Sequence, residues 1–125
     1  MKNKSFFSGF ICAARGLAAA FRSERNFRFD IFMALCVILC SLICPLEGWE
    51  RCVLYTLCAL CLFAEGVNSA IERAVDLASP DFNPLAGEAK DIAAGAALIC
   101  AVFSTAVGLY IFVPYGIDLL VKLFS

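Results

Sequence analysis

The sequence predicts an all-α integral membrane protein with three transmembrane helices and one amphipathic helix at the membrane surface. Hydrophobic residues make up 62% of the 125 residues and charged residues 17%, and the mean hydropathy is +0.87. This composition is too apolar for a small soluble domain. Three long stretches, Ile31–Cys44, Cys52–Ala64 and Ile92–Ile117, contain no charged residue. We therefore expect one compact membrane-embedded domain over residues 1–125.

The surface helix is expected at about residues 5–25. Apolar side chains such as Phe6, Phe10 and Leu17 recur at helical spacing, and the same segment is basic. Such a helix lies in the interface with its basic face toward anionic headgroups. A cleaved signal peptide is the alternative, but Arg15 and Arg22 interrupt its apolar core. The other basic residues at this end are Lys2, Lys4 and Arg25.

The first transmembrane helix is expected at about residues 28–45. Its charge-free part is shorter than the roughly 20 residues that a span requires. We therefore include Arg28 and Asp30 as snorkelling or inward-facing residues. Pro45 ends the helix, and the short loop that follows forces the next helix to return antiparallel. Trp49 suits an interfacial anchor at this turn.

The second and third transmembrane helices are expected at about residues 50–77 and 91–120. Between them, Ser79-Pro80-Asp81-Phe82-Asn83-Pro84 contains two prolines that break the helix. Leu85–Asp91 is expected to be a short mixed segment. The first half of the third helix is rich in alanine and glycine, which allows close approach of neighbouring helices.

Basic residues set the expected orientation in the membrane. They are concentrated before the first span, whereas the following loop has only Arg51 beside Glu47 and Glu50. By the positive-inside rule the N-terminus is cytoplasmic. Three crossings then place the loop between the second and third spans in the cytoplasm and the C-terminus outside.

One face of the second helix carries a polar stripe that consists of Glu65, Asn68, Ser69, Glu72 and Asp76. These five positions fall within an arc of about 100° on a helix. A carboxylate in hydrocarbon costs at least about 2.5 kcal/mol, so an intramembrane acid is a functional candidate. If Glu65 only marked the membrane boundary, the other polar residues would not need to share its face. Since three helices bury little of such a stripe, we expect a homo-oligomer.

Several function classes are excluded by what the sequence contains and lacks. It has no GxxxxGK[ST] or GxGxxG motif and no histidine. The net charge of −1 argues against a nucleic-acid partner. Most of the eight cysteines lie in apolar runs, where cysteine behaves as a small hydrophobic residue. The CxxC spacing of Cys58 and Cys61 is therefore interpreted as packing.

Charged residues gather at the expected cytoplasmic membrane boundary. They are Glu24, Glu65, Glu72, Asp76, Asp81, Glu88, Asp91, Lys90, Arg28 and Arg73. Carboxylates with a few cations suit a magnesium–polyphosphate complex, and another carboxylate could accept a proton from an attacking hydroxyl. Such a site could phosphorylate a lipid alcohol. The alternatives are a small proton- or cation-coupled transporter subunit with Glu65 as the relay, and a non-enzymatic scaffold. The charges outside the hydrocarbon favour the enzyme.

Two motifs carry a resemblance to a known family. They are Glu65-Gly-Val-Asn-Ser-Ala-Ile-Glu72 with Asp76, and Ala89-Lys90-Asp91 followed by Ala93-Ala94-Gly95-Ala96. With the upstream segment Glu24-Arg25-Asn26-Phe27-Arg28, the chain resembles the prokaryotic diacylglycerol kinase family, which includes undecaprenol kinases. The resemblance covers nearly the whole chain in order and spacing.

The resemblance implies a homotrimeric lipid kinase of the bacterial cytoplasmic membrane that uses ATP with Mg²⁺ or another divalent cation. By the family's pattern Glu65 is the general base, and Glu24 and Glu72 hold the metal that bridges the ATP phosphates. The implied nucleotide-binding residues are Glu24, Glu72, Asp81, Asn83, Lys90 and Asp91. The implied supporting residues are Asn68, Ser69, Asp76 and Arg28. Asn83 stands where the family commonly has histidine, which bears on nucleotide selectivity.

The acceptor lipid is expected to be undecaprenol rather than diacylglycerol. The segments Ala93-Ala94-Gly95-Ala96 and Asn26-Phe27-Arg28 resemble the undecaprenol kinase side of the family. A diacylglycerol kinase that makes phosphatidic acid is the alternative.

Overall fold

Four α-helices make up nearly all of the computed structural model, which describes residues 6–125. They are α1 (Phe6–Ser23), α2 (Arg25–Ile43), α3 (Gly48–Ala78) and α4 (Pro84–Phe124). The predicted all-α class is therefore confirmed. Lys2, Lys4 and the first residue of the expected surface helix lie outside the described residues. All eight cysteines lie within residues 6–125, and all are free thiols.

Three of these helices, α2, α3 and α4, are long and apolar enough to cross a membrane, as predicted. Many of their large apolar side chains are exposed, as expected for surfaces that face lipid. With 41 residues, α4 is about 62 Å long at 1.5 Å per residue. A bilayer with its headgroups is about 40–45 Å thick, so α4 must extend beyond the membrane if it crosses upright.

Local capping explains where the helices begin and end. In α3, the Glu47 side chain accepts from the backbone of the N3 residue Glu50, and Glu50 Oε2 accepts from the Glu47 N–H at 2.8 Å. This is a reciprocal capping box. Helix α2 ends at Ile43, two residues before Pro45.

The start of α4 differs from the expected start of the third span. Asn83 is its N-cap, where the side-chain Oδ1 accepts from the Leu85 N–H at 2.9 Å, and Pro84 occupies the first helical position. Asparagine followed by proline is a favourable helix start. The expected mixed segment before residue 91 is therefore the first part of α4.

Helix α3 lies between α2 and α4 and packs against both, while α1 contacts α2 and α3. A small apolar core of Leu46, Leu54 and Ile111 joins the N-terminal half of α3 to the later part of α4. This arrangement leaves the C-terminal half of α3 beside the junction between α1 and α2. The polar stripe lies on that half.

Candidate active site

Burial along the polar stripe decreases toward the end of α3. Glu65, Asn68 and Ser69 are 8%, 6% and 4% exposed. Glu72 is half-buried and Asp76 is exposed. The inner part of the stripe is thus buried within one chain. Its burial no longer requires a second copy of the protein.

The Glu65 carboxylate lies near several polar side chains. They are Asn26 and Asp30 of α2, Glu72 of α3, and Glu24 between α1 and α2. Phe27 of α2, which is 3% exposed, packs against Gly66, the residue after Glu65. Glu65 is therefore a buried acid with more acidic than basic neighbours, an environment that suits a proton acceptor.

The Asn68 amide and the Ser69 hydroxyl of the stripe have different roles. Ser69 Oγ donates to the Glu65 backbone oxygen at 3.0 Å, a bond within the helix. Asn68 Nδ2 donates to Glu72 Oε1 at 3.3 Å and so orients that carboxylate. Asn68 Oδ1 is buried and finds no hydrogen-bond partner among residues 6–125. An amide oxygen left in this state is a candidate ligand-binding atom.

Arg28 anchors the junction between α1 and α2. Its Nη1 donates to the Phe21 and Arg22 backbone oxygens, both at 3.0 Å. These carbonyls lie in the last turn of α1, where they have no partner within the helix. Arg28 is thus a C-terminal cap for α1. The Arg28 backbone N–H also donates to the backbone oxygen of Glu24, the residue between the two helices, at 3.3 Å.

Arg73 connects this junction to α3. Its Nη2 donates to Ser23 Oγ and, at 3.2 Å, to Glu24 Oε1. Ser23 Oγ also donates to Glu24 Oε1, at 3.0 Å. We call Ser23, Glu24 and Arg73 the junction cluster. Sequence reasoning counted Arg73 among the boundary charges but assigned it no role.

A second ion pair connects α4 to α3. Lys90 Nζ donates to Asp76 Oδ1 at 2.9 Å, and both side chains are at least 36% exposed. Lys90 is thereby held at the outer end of the polar stripe. Two of the expected site residues, one supporting and one nucleotide-binding, are thus brought together.

The remaining expected nucleotide-binding residues are not joined to this group. Asn83 uses its side-chain oxygen to cap α4, so only its amide N–H₂ group remains to donate. Asp81 and Asp91 are exposed and form no ion pair within residues 6–125. Glu88 is also exposed. These residues lie at the start of α4 or just before it.

The carboxylates of the site suit a divalent cation whose coordination shell is completed by phosphate oxygens of the substrate. Across residues 6–125, no three side chains of the His, Cys, Asp and Glu types form a group that could hold a metal ion. Mg²⁺ usually binds one or two carboxylates and takes the rest of its shell from phosphates and water. Glu24 and Glu72, with the unpaired Asn68 oxygen beside Glu72, match that requirement.

An apolar cavity of about 450 Å³ lies between the three long helices. Its α3 wall includes Leu54, Cys58 and Cys61, which fall on the same helix face as Glu65. Cys61 is one turn from Glu65, and Leu54 is about 16 Å along the helix from it at 1.5 Å per residue. Asp30 also lines the cavity. The polar stripe and the cavity therefore form one continuous face.

The chain is similar in sequence to a known family and to several of its members. Residues 11–112 match the model of the family described as prokaryotic diacylglycerol kinase. The chain is 40% identical to an undecaprenol kinase of Bacillus subtilis, over 87% of this chain and 89% of that protein. It is 36% identical to a diacylglycerol kinase of Helicobacter pylori, over 90% and 88% of the two chains. A diacylglycerol kinase of Escherichia coli is 31% identical over 80% and 85%.

Proposed function

The chain belongs to the prokaryotic diacylglycerol kinase family, and on that premise we propose that it phosphorylates undecaprenol at the expense of ATP. That the chain is a lipid kinase follows from the family and from relatives named as kinases. The transporter and scaffold alternatives are set aside for the same reason. The acceptor lipid, the roles of individual residues and the assembly are our proposals.

The main support for the acceptor is the cavity on the Glu65 face of α3. A hydroxyl group beside Glu65 would let an attached hydrocarbon chain continue directly into this cavity. The volume of about 450 Å³ lies within the range of roughly 300–1,000 Å³ typical of small-molecule sites. One such cavity accommodates the beginning of one chain, as in a polyprenol, more readily than the two chains of diacylglycerol. The relative at 40% identity is an undecaprenol kinase.

In the proposed reaction Glu65 takes the proton from the acceptor hydroxyl. The oxygen then forms a bond to the γ-phosphorus of ATP, and the bond from that phosphorus to the β–γ bridging oxygen breaks. ADP leaves with the electron pair of that bond. Glu65 is suited to this task because it is buried on the face of α3 that continues into the cavity, where the acceptor chain would lie. The Ser69 bond to the Glu65 backbone oxygen stabilises this turn of α3.

Other side chains would bind and orient the nucleotide. Glu24 and Glu72 would hold Mg²⁺, with Asn68 orienting Glu72. Bound with ATP, the cation would neutralise phosphate charge and align the γ-phosphate. Lys90 would leave Asp76 to contact a phosphate. Asp81, Asn83 and Asp91 would contact the nucleotide from the start of α4, and Arg28 would support Glu24 through the α1 cap.

We also propose the assembly and orientation that the family resemblance implies. The enzyme is a homotrimer, with its N-terminus in the cytoplasm and its C-terminus outside the bacterial cytoplasmic membrane. Helix α1 lies in the membrane surface. This placement is supported by Phe6, Phe7 and Phe10, which are 94%, 74% and 71% exposed and need an apolar environment.

A competition assay tests the proposed reaction. Purified protein in bilayers receives Mg·ATP labelled at the γ-phosphate, with undecaprenol and diacylglycerol supplied together. We expect most of the label in undecaprenol. Label mainly in diacylglycerol would overturn the acceptor assignment, and label in neither lipid with folded protein would overturn the proposed function.

A further inference from the structure

The site contains more carboxylates than cations, and two of its cations already have acidic partners. Arg73 pairs with Glu24 and Lys90 with Asp76. Glu65 and Glu72 have no ion pair within residues 6–125. A polyphosphate ligand would meet strong repulsion here unless these cations became available to it. Such a ligand would therefore require at least one of these cations to leave its acidic partner.

Two arginines near Glu24 differ in what they contact. Arg28 donates to two backbone carbonyls that close α1, so its loss would leave that helix end without a cap. Within residues 6–125 the Arg73 side chain hydrogen-bonds to the side chains of Ser23 and Glu24, and it is 51% exposed. An exposed ion pair of this kind contributes little to stability. Arg73 is therefore the arginine that can change partners at low cost.

The partner that Arg73 holds is one of the two acids expected to bind the cation. Glu24 Oε1 accepts from both Arg73 and Ser23. The two hydrogen bonds restrict the orientation of the Glu24 carboxylate. When Glu24 turns to a divalent cation, the guanidinium loses its partner. A guanidinium is well suited to phosphate, because its N–H groups match phosphate oxygens in pairs.

We propose that Arg73 is a nucleotide-binding residue that exchanges Glu24 for a phosphate group. In the ligand-free enzyme it holds Glu24 in position. On binding of the magnesium–nucleotide complex, the Arg73 guanidinium moves to the β- or γ-phosphate while Glu24 becomes available to the cation. This inference rests on the proposed kinase function, and it assigns Arg73 a role that the family motif does not contain.

The test is nucleotide affinity, measured by calorimetry on the intact protein in bilayers with Mg²⁺ and a non-hydrolysable ATP analogue. Arg73→Ala should raise Kd about tenfold or more, since a charge-assisted hydrogen bond to phosphate is lost. Arg73→Lys should recover part of the affinity because it keeps the charge. KM for ATP should rise with Kd, whereas KM for the lipid should stay near its wild-type value.

Ser23→Ala separates phosphate binding from positioning. It loosens the junction cluster but keeps the guanidinium, so its Kd should change much less than that of Arg73→Ala. Lys122→Ala is the matched control, because it removes another exposed ion pair, Lys122–Asp118 at 2.6 Å, far along α4. It should leave Kd unchanged. Thermal unfolding of each variant confirms that it is folded.

Coupling between Arg73 and Glu24 provides the second measurement. If Arg73 leaves Glu24 for phosphate as Glu24 turns to the metal, the effects of Glu24→Gln and Arg73→Ala on Kd should be non-additive in the double variant. A wild-type Kd in Arg73→Ala, or equal defects in Ser23→Ala and Arg73→Ala, would overturn the phosphate contact. If the wild-type protein binds no nucleotide and labels no lipid, the proposed function itself fails.

Discussion

Helix α3 carries polar groups at both ends, and the two groups differ in how fully they are satisfied. At the N-terminal end, Glu50 Oε2 accepts from the Tyr115 hydroxyl at 2.7 Å and from the Glu47 N–H at 2.8 Å. Trp49 Nε1 donates to Glu47 at 2.6 Å. We call these four residues the N-terminal cluster. Its acids are matched by donors.

In the C-terminal half of α3, the polar side chains of the stripe are not all paired with hydrogen-bonding partners among residues 6–125. Glu65 is buried near other carboxylates, and Asn68 Oδ1 has no partner among residues 6–125. Fully bonded polar groups stabilise a fold, whereas buried groups left unsatisfied require another explanation, such as a ligand. Polar residues on a membrane helix therefore do not by themselves identify a functional site. The state of the hydrogen bonds does.

The largest expected effect separates Glu65 from Glu50. Glu65→Gln keeps the side-chain shape but removes the base, so turnover should fall about 10²-fold or more while the protein stays folded and binds nucleotide. Glu50→Gln should keep near-normal turnover and lower the melting temperature, since it weakens the N-terminal cluster. Steady-state kinetics and thermal unfolding measure both. Near-normal turnover of Glu65→Gln would show that Glu65, like Glu50, is not needed for the reaction.

The next effect concerns the metal. Glu72→Gln should raise the Mg²⁺ concentration for half-maximal activity about tenfold or more, because a charged ligand becomes a neutral amide. Mg²⁺ titrations at fixed ATP make the comparison with wild type. An unchanged Mg²⁺ dependence would move the cation site away from the polar stripe.

A smaller effect is expected when the cavity is filled from α4. Gly108 lines the cavity, and a Cβ added there meets no atom within 4 Å. Gly108→Leu should therefore fold but raise KM for the lipid about tenfold, with KM for ATP unchanged. Gly116→Leu is the matched control, since Gly116 is equally open but does not line the cavity. Equal lipid KM values in the two variants would show that the acceptor lipid does not bind in the cavity.

The smallest effect is expected at the N-terminal cluster. Tyr115→Phe removes the hydroxyl that donates to Glu50 and leaves the ring in place. The melting temperature should fall by about 2–4 °C, with kcat and both KM values unchanged. A clear loss of turnover would show that this cluster is coupled to the reaction.

The local part of the site could be predicted from sequence because helical periodicity determines it. Glu65, Asn68, Ser69, Glu72 and Asp76 share one face by spacing alone, and the charge-free runs gave the three apolar helices. The early start of α4 also has a local signal in the sequence, namely asparagine followed by proline at residues 83–84.

The remainder depends on tertiary contacts that no spacing reveals. Arg73 and Glu24 are 49 positions apart and meet only because the α1–α2 junction packs on α3. The sequence predicts a snorkelling or inward-facing Arg28, whereas in the structure Arg28 caps the helix that precedes it. The cavity likewise exists only where three separate helices leave space between them.

Photo-cross-linking tests whether Glu65 and the cavity form one acceptor site. The probe is a short polyprenol with a diazirine in its hydrocarbon chain, bound to the Glu65→Gln variant. We predict labelling at Cys58 or Cys61, which line the cavity, and competition by undecaprenol. Labelling confined to Leu60 and Phe63, which are exposed at a similar depth on other faces of α3, would contradict the claim.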